Sequence, residues 1–260
     1  MKNHATPQML TEQRQLAILE DLQRSGRVLA REQAERLGVS EDTIRRDLRE
    51  LSSRGALQRV HGGALPVSPA LANLARRSDI AVDEKRQLGR HAASLVADGQ
   101  LVFVDGGTSA LAMVTQLPAT LRATVATHSP VIAAALIEHP TVEVLMLGGR
   151  LFKHSGVAVG AAVAEAVQAL RADCFFLGVT GVEAGFGLST GDAEEARVKA
   201  LLMASAAETV LMASSDKLGK VSPYRIAPLS ALSTLLVTPQ ADAAQLQALQ
   251  RPGLEIVTVA

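Results

Sequence analysis

Cysteine and aromatic residues are scarce in this chain of 260 residues. It contains one cysteine, no tryptophan, one tyrosine and five phenylalanines. A single thiol, Cys174, excludes an internal disulfide and indicates a reducing compartment. We expect Cys174 to be a small buried hydrophobe, because it stands in the apolar run CFFLGV. With so few aromatic residues, the core must be built mainly from alanine, leucine and valine.

A long uncharged hydrophobic run is also absent. No stretch of about 18 residues is apolar enough to span a bilayer. The first residues, MKNHATPQMLTEQRQ, contain no apolar core of a signal peptide. We therefore predict no membrane span and a cytoplasmic location.

Net charge is the third absence, since 26 Lys and Arg balance 26 Asp and Glu. The balance hides a local excess, because the segment 45–61 holds five arginines against two acidic residues. Charged runs are usually solvated surface, so this excess alone is weak evidence for an anion-binding face.

The first sixty residues show helical periodicity. The segment EQRQLAILEDLQRSG predicts one helix, with Leu16, Leu19 and Leu22 on one side, and AREQAERLG predicts a second. A third helix begins after Ser40, whose side chain is a good N-cap. Two short helices followed by a charged third helix are the layout of a helix-turn-helix, which places a helix in the major groove of double-stranded DNA.

The third helix is expected to have a buried side and a DNA-facing side. Ile44, Leu48 and Leu51 share one side at helical spacing. The side chains expected to face DNA are Ser40, Asp42, Thr43, Arg45, Arg46 and Arg49. Arginine can pair bidentately with guanine, and threonine can contact a thymine methyl group or a phosphate. Acidic residues one helical turn before the arginines can hold them in extended conformations.

A short hairpin is predicted after the third helix, since brief alternation ends at a Gly-Gly pair. It would form a wing whose glycines allow close approach to phosphate or to the minor groove. The wing residues predicted to contact DNA are Arg59, His61, Gly62 and Gly63. The alternative is a small helical cap with a salt-bridged surface, and the charge pattern alone does not decide between the two.

From residue 101 short apolar runs alternate with alanine-rich helical stretches. The runs LVFVD, TVATHS, VEVLMLGG, CFFLGV, TVLMAS, STLLVT and LEIVTV are strand candidates. Strands that are apolar throughout are buried on both faces, which indicates a parallel sheet covered by helices. The expected fold class is α/β, with a winged helix-turn-helix domain at 1–65, a linker at 66–80 and a doubly wound Rossmann-like domain at 81–260.

Polar turns follow several of the predicted strands. In FVDGGTSAL, backbone N–H groups and two hydroxyls precede a helix, an arrangement that can hold a phosphate. THS, LGGR and ASSDK follow other strands, and open α/β sheets bind ligands at the carboxyl ends of their strands. The predicted ligand-binding residues are Asp105, Gly106, Gly107, Thr108, Ser109, Thr127, His128, Ser129, Gly149, Arg150 and Lys217. One glycine-rich turn is weak evidence, but several at one sheet edge favour a phosphorylated ligand.

The segment RLGVSEDTIRRDLRELSSRGALQRVHGGAL resembles the DNA-binding signature of the DeoR family of bacterial repressors, a winged helix-turn-helix group. Residues 80–240 resemble the effector domain of the same family, related in fold to sugar-phosphate isomerases, through DGGTS, EEARVK and SSDKLG. The resemblance implies a repressor of a carbohydrate catabolic operon, with double-stranded operator DNA and a phosphorylated sugar or polyol as partners. His128 departs from it, because the family commonly has asparagine there.

A sugar-phosphate isomerase-like enzyme is the competing interpretation. An isomerase needs a carboxylate base over the carbon that loses its proton. The stretch 178–181, which matches the acidic turn of the related enzymes, has no carboxylate before Glu183. We therefore expect a regulator and no enzyme. The roles of Glu194 and Glu195 stay open.

Metal-ligand spacing is absent among the histidines, so we expect neither a metal nor a cofactor. A single winged helix covers too few base pairs for operator-level specificity. We therefore expect a homo-oligomer, a dimer or a tetramer, on repeated half-sites.

Overall fold

A computed structural model describes residues 10–25, 28–54, 56–60, 62–65 and 73–259. The chain divides into two compact units, Met1–Ser68 and Pro69–Ala260. His61, which is predicted to lie in the wing, and residues 66–72 of the predicted linker lie outside the described residues.

The first unit consists of three helices and a small antiparallel sheet. Its elements are α1 (Thr11–Ser25), β1 (Val28–Leu29), α2 (Ala30–Leu37), α3 (Glu41–Ser53), β2 (Gln58–Val60) and β3 (Gly63–Leu65). The strand order is β1-β3-β2, so β2 and β3 form the predicted hairpin and β1 adds a third strand. Ile44, Leu48 and Leu51 are all buried, which confirms the predicted inner side of α3.

Helix α1 buries only part of the predicted side, since Leu19 packs against the core but Leu16 does not. Leu16 is 60% exposed, whereas Ile18 and Leu22 are buried. The inner side also contains Gln15, whose amide donates to Glu50 of α3 at 2.8 Å. The prediction for Leu16 was wrong because the polar contacts of α1 with α3 select which residues of this leucine-rich helix turn inward.

The second unit is built around a parallel sheet. Its helices are α4 (Leu74–Ser78), α5 (Val82–Ser94), α6 (Thr108–Val114), α7 (Pro130–Ala135), α8 (Ala161–Gln168), α9 (Ala193–Ala204) and α10 (Ala243–Leu249). Its strands are β4 (Leu101–Val104), β5 (Thr124–Thr127), β6 (Glu143–Met146), β7 (Arg150–Phe152), β8 (Val157–Val159), β9 (Ala172–Leu177), β10 (Gly181–Glu183), β11 (Gly187–Thr190), β12 (Ala206–Met212), β13 (Tyr224–Ala227), β14 (Thr234–Val237) and β15 (Glu255–Thr258). Two smaller antiparallel sheets, β7-β8 and β10-β11-β13, flank the large one.

Seven strands form the large sheet in the order β15-β14-β12-β9-β4-β5-β6, and all of its pairs are parallel. They are the seven apolar runs predicted as strands, and the α/β fold class is confirmed. From β4 the chain first builds one side of the sheet with β5 and β6, and then the other side from β9 outward. The strand order therefore reverses between β4 and β9, where open α/β sheets form a ligand crevice.

Apolar side chains fill both faces of the inner strands, whereas Val144, Leu145 and Met146 of the edge strand β6 are exposed, contrary to the expectation for an apolar run. Phe103 and Phe175 meet edge to face on one side, with ring centroids 6.3 Å apart, while Phe176 and Cys174 pack on the other. Burial raises the pKa of the Cys174 thiol to about 12, so this residue packs as a hydrophobe, as expected.

The second half of the segment predicted as a linker is structured. Helix α4 begins after Asn73, whose side chain accepts a hydrogen bond from the Arg76 amide at 3.0 Å. The Leu74 amide donates to the His154 carbonyl at 2.9 Å, and the Leu74 side chain packs on Gly156. Five helical residues give too little periodicity to be recognised in a sequence, so only the cap and these long-range contacts reveal the helix.

Candidate functional site

A cavity of about 650 Å³, including its mouth, lies at the carboxyl ends of β4 and β9. Its walls are the loop at 106–109 after β4, the loop at 178–180 after β9, the 3-10 turn Ser215–Lys217, and parts of α4, α5 and α9. The cavity thus lies where the strand order reverses.

Two glycines shape the loop after β4. A side chain at Gly106 would place its Cβ 2.2 Å from the Val157 side chain, and Gly107 has φ 110°, which favours glycine. The loop therefore brings backbone amides to the cavity wall at the start of α6. Thr108 and Ser109 follow, and Lys217 Nζ lies 3.5 Å from Ser109 Oγ across the cavity.

Two lysines of the wall are desolvated. Burial lowers the pKa of Lys217 to about 8, and it also lowers the pKa of Lys85. The turn that carries Lys217 is held by Glu84, which accepts hydrogen bonds from the Ser215 amide and hydroxyl, both at 2.8 Å. Positive charge that has lost part of its hydration is stabilised when an anion enters, so this wall favours a negatively charged ligand.

Asp105 lies beneath the floor of the cavity and is fully buried. Its carboxylate accepts from Lys199 Nζ, from the amides of Gly106 and Gly178 at 2.8 Å, and from His128 Nε2 at 2.9 Å. Burial alone would raise the pKa of Asp105, but the ammonium of Lys199 and the contacts with His128 bring it well below its usual range. The carboxylate therefore ties the loop after β4 to the loop after β9.

Lys199 of α9 is neutralised by two carboxylates. It binds Asp105, and its ammonium lies 3.2 Å from the carboxylate of Glu195, one helical turn earlier. Burial would lower the pKa of Lys199, but the charges of Asp105 and Glu195 raise it. Glu195 also accepts from the Ser155 hydroxyl at 3.0 Å.

The residues predicted to bind a ligand are divided between two environments. Gly106, Gly107, Thr108, Ser109 and Lys217 line the cavity. The THS stretch does not line it. His128 has no exposed surface, and its Nδ1 lies 2.8 Å from the Ala158 carbonyl.

The neighbours of His128 also turn inward. The Ser129 hydroxyl donates to the Gly156 carbonyl at 3.0 Å, and Thr127 accepts from the Ser129 amide at 3.1 Å. The THS stretch therefore fastens the end of β5 to Asp105 and to the segment that contains β8. Its polar side chains serve packing and hydrogen bonding within the unit.

Gly149 and Arg150 also lie away from the cavity lining. A Cβ at Gly149 would lie 2.6 Å from the Val163 side chain, so close packing accounts for this glycine. Arg150 is an exposed residue of β7, paired in register with Val159.

Several cavity residues were missed in the sequence. They are Arg77, Lys85, Ser155, Thr180, Thr190, Glu195 and Lys199. The spacing of Glu195 and Lys199, one helical turn apart on a helix with an apolar inner side, was an available signal. Arg77 lay in the segment predicted as a linker, where nothing in the sequence points to a cavity.

Helix α3 of the first unit presents the predicted polar face. Ser40 caps it by accepting from the Thr43 amide at 3.2 Å, and the two hydroxyls lie 2.9 Å apart. Glu41 pairs with Arg45 at 2.7 Å, as expected for an acid one turn before an arginine. Arg46, Arg49 and Asp42 are exposed, and Arg46 makes no ion pair or side-chain hydrogen bond within the described part of the chain.

Two acidic residues of α3 have a structural role. Asp47 is buried and accepts from Arg14 of α1 at 3.1 Å, while Glu50 accepts from Gln15. The hydrogen bond to Asp47 raises the pKa of Arg14. These contacts attach α1 to α3.

The two glycines of the wing are favoured for different structural reasons. Gly62 is exposed in the turn with φ 82°, whereas a Cβ at Gly63 would lie 2.0 Å from the Val28 carbonyl oxygen. The close approach of β1 therefore accounts for Gly63. Arg59 is exposed on β2.

Comparison with known proteins matches both units. A family model described as the DeoR-like helix-turn-helix domain matches residues 14–70, and one described as the DeoR C terminal sensor domain matches residues 80–238. The chain belongs to the DeoR family. The DeoR sensor match includes the cavity loops and Lys217 but begins after Arg77, which lies between the two matched ranges.

Three DeoR-family relatives extend over most of the chain. The HTH-type transcriptional regulator GlpR of Haloferax volcanii is 32% identical, over 96% of this chain and 98% of the relative. The HTH-type transcriptional repressor GlcR of Bacillus subtilis is also 32% identical, over 96% of both chains. The glycerol-3-phosphate regulon repressor of Escherichia coli is 28% identical, over 85% of this chain and 88% of the relative.

Among residues 10–25, 28–54, 56–60, 62–65 and 73–259, no helix is both long and apolar enough to cross a membrane. In the same part of the chain no three His, Cys, Asp or Glu side chains are grouped so that they could hold a metal ion.

Proposed function

We propose that this DeoR-family regulator is a repressor of a carbohydrate catabolic operon that releases its operator when a phosphorylated sugar or polyol fills the cavity of the second unit. The proposal depends on the cavity at the carboxyl ends of β4 and β9, where the strand order reverses. In its wall, two desolvated lysines, Lys85 and Lys217, accompany the backbone amides of the loop at 106–109. The curated relatives, which are named as transcriptional regulators and repressors, support the regulatory role.

The phosphate group of the ligand is assigned to residues 106–109 and Lys217. The backbone amides and the hydroxyls of Thr108 and Ser109 supply donors, and Lys217 supplies charge. The hydroxyls of Ser155, Thr180 and Thr190 line the rest of the cavity and suit the hydroxyl groups of a sugar or polyol. The name of the Escherichia coli relative, a glycerol-3-phosphate regulon repressor, supports the same ligand class.

In the first unit, operator recognition is assigned to α3 and the wing, within the predicted domain at 1–65. The contacting residues are Ser40, Asp42, Thr43, Arg45, Arg46, Arg49, Arg59, Gly62 and the undescribed His61. The guanidinium of Arg46, which is exposed and has no ion pair among the described residues, supports a bidentate contact with a base. A homo-oligomer on repeated half-sites, working in the cytoplasm, completes the proposal.

An isomerase activity is the alternative that the cavity itself raises, because Glu195 lies in its wall. This carboxylate is already engaged within the protein, because it pairs with Lys199 and accepts a hydrogen bond from the Ser155 hydroxyl. We assign it the role of holding Lys199 and Ser155 in place. We therefore assign no catalysis to the cavity, and turnover of a pentose or hexose phosphate would contradict this assignment.

The deciding experiment uses the full chain and DNA from upstream of its own gene. Sequence-selective binding is measured by fluorescence anisotropy, and a panel of phosphorylated sugars and polyols is then tested for release. Two variants separate the two sites. Arg46→Ala should weaken and relax DNA recognition, by about 1–3 kcal/mol, and leave ligand-induced thermal stabilisation intact.

Lys217→Ala should produce the reverse result. DNA binding should be unchanged, while release requires a much higher ligand concentration. Absence of selective DNA binding by the unmodified chain would overturn the repressor proposal. DNA binding that no phosphorylated compound affects would overturn the assignment of the ligand.

A further inference from the structure

Arg77 of α4 brings an unsatisfied guanidinium to the cavity. Its Nε and Nη2 are buried and have no hydrogen-bond partner among the described residues. These two nitrogens form one edge of the planar group, the edge that donates two parallel hydrogen bonds to a phosphate or a carboxylate. A buried donor without a partner is energetically costly and calls for an explanation.

The charges around Arg77 leave room for an anion. Among the described residues, the wall and the floor hold four cations against three carboxylates. Asp105 and Glu195 pair with Lys199 and also attract Arg77. Asp216 attracts Lys85 and Lys217. The remaining cations of the wall are Arg77, Lys85 and Lys217. Burial lowers the pKa of Arg77, as it does for the two lysines, so all three groups are partly stripped of water and favour an incoming negative charge.

Helix α4 packs on α6 and is also held at both of its ends. At its start Leu74 contacts the segment at 154–156. At its end Lys85 Nζ donates to the carbonyls of Arg77 and Ile80. Between α4 and α5 stands Ala81, whose φ of 51° is the only positive value among the described non-glycine residues. A strained residue at the junction of two helices is typical of a position where the chain is held in one of two arrangements.

We propose that Arg77 completes the anion site from α4. Ligand binding is thereby coupled to the position of α4, the first described helix of the second unit. The proposal rests on the proposed function, because it requires an anionic ligand in this cavity. An anion that bridges Arg77 and Lys217 binds only when α4 is docked, so it stabilises that arrangement over any in which α4 is released. Arg77 lies outside both ranges that match the family models, at 14–70 and 80–238.

The test compares Arg77→Gln with Arg76→Gln in the full chain. Arg76 is the exposed neighbour on the same helix and serves as the matched control. Inorganic phosphate is titrated at pH 7 by thermal shift, and hydrogen exchange of the amides at 74–80 is followed by mass spectrometry with and without phosphate. The phosphorylated sugars of the release panel are titrated in the same way.

The expected result is that phosphate stabilises the unmodified chain and slows exchange at 74–80. Arg77→Gln should need at least about tenfold more phosphate, since loss of even one of its two charge-assisted hydrogen bonds gives that factor, and should lose the phosphate-dependent protection of α4. Without phosphate, Arg77→Gln should melt no earlier than the unmodified chain, because it removes buried N–H groups that have no hydrogen-bond partner among the described residues. Arg76→Gln should behave as the unmodified chain throughout.

Two outcomes overturn the inference and differ in what else they overturn. If phosphate or a phosphorylated sugar stabilises the unmodified chain and Arg77→Gln responds like Arg76→Gln, Arg77 is no part of the site, while the proposed function stands. If no phosphorylated compound or phosphate stabilises the unmodified chain, both proposals fail. An early melting of Arg77→Gln with unchanged phosphate dependence would show a purely structural role and would also refute the inference.

Discussion

At the residue scale, one carboxylate determines how the cavity floor is held together. Asp105 accepts hydrogen bonds from two loops, from α9 through Lys199 and from the end of β5 through His128. Each partner donates, so the ionised carboxylate is satisfied despite complete burial. His128 thus belongs to the support of the cavity.

Replacing Asp105 with asparagine should therefore be strongly destabilising. Asp105→Asn removes one of the two carboxylates that compensate Lys199, and breaking a buried ion pair typically costs about 3–5 kcal/mol. The measurement is urea unfolding of the second unit, followed by circular dichroism. The control is Glu138→Gln, which also replaces a carboxylate with an amide. Glu138 is exposed and its side chain has no hydrogen bond or ion pair among the described residues, so this change should have little effect. Equal unfolding midpoints for the two variants would contradict this account of the floor.

The Asp105 contacts also predict how stability depends on pH. The folded pKa of Asp105 is depressed, so its contribution is present above the unfolded value of about 3.9 and is lost as pH falls towards the folded value. The folded pKa of Lys199 is raised, so its contribution is present below about 10.4 and is lost only at higher pH. Unfolding midpoints measured from pH 2 to pH 7 should fall on the acid side in the unmodified chain and less steeply in Asp105→Asn.

Lys217 makes the affinity for an anion depend on pH in the alkaline range. Its pKa in the free cavity is lowered to about 8, and a bound anion raises it again. Affinity should therefore be constant below pH 8 and should fall as pH rises above it, where binding requires uptake of a proton. Titrations between pH 7 and 9.5 avoid the ligand's own ionisation, since the second pKa of a phosphomonoester is about 6. In Lys217→Arg, whose guanidinium stays charged, most of this fall should disappear.

At the scale of elements, β1 decides the position of the wing. It pairs with β3, and its Val28 carbonyl lies where a side chain at Gly63 would project. The glycine pair predicted to allow approach to DNA therefore includes one residue required by the protein's own packing. The wing is consequently attached to the helical part of the unit through a third strand.

Gly63→Ala should separate β3 from β1 and lower both the stability of the first unit and its affinity for DNA. Its Cβ would lie 2.0 Å from a backbone oxygen, and overpacking of this kind typically costs about 1–3 kcal/mol. Gly62→Asn is the matched control, because space is open there and asparagine tolerates positive φ. Thermal melts and DNA titrations of the two variants test the argument. A Gly63→Ala protein with an unshifted melt would disprove it.

At the scale of the whole molecule, zero net charge leaves DNA binding to a local excess of arginine. Its exposed members include Arg45, Arg46, Arg49 and Arg59, whereas much of the compensating acidic charge lies in the second unit. The logarithm of the association constant should fall with the logarithm of salt concentration, with a slope of about −5 for six phosphate contacts. Removing one phosphate contact with Arg49→Ala should reduce that slope by about 0.9. Arg251→Ala, an exposed arginine of the second unit, should leave it unchanged.

Much of the fold was predictable because its signals are local. Each of the seven strands of the large sheet is an apolar run, and the inner side of α3 follows from the spacing of Ile44, Leu48 and Leu51. The inner side of α1 was predicted less well. Its leucines satisfy more than one helical stripe, and the contact between Gln15 and Glu50 decides among them.

The sequence by itself determined the three helices of the first unit, the seven strands of the large sheet, the polar face of α3 and the presence of a glycine-rich loop after β4. Periodicity, capping and backbone conformation depend on near neighbours, so a single chain reveals them. Only the tertiary structure decided that His128 supports the floor, that Glu195 and Lys199 neutralise each other in the wall and that Arg77 lines the cavity. These roles depend on burial and on charges that are distant in the sequence, and the packing of the sheet alone brings those groups together.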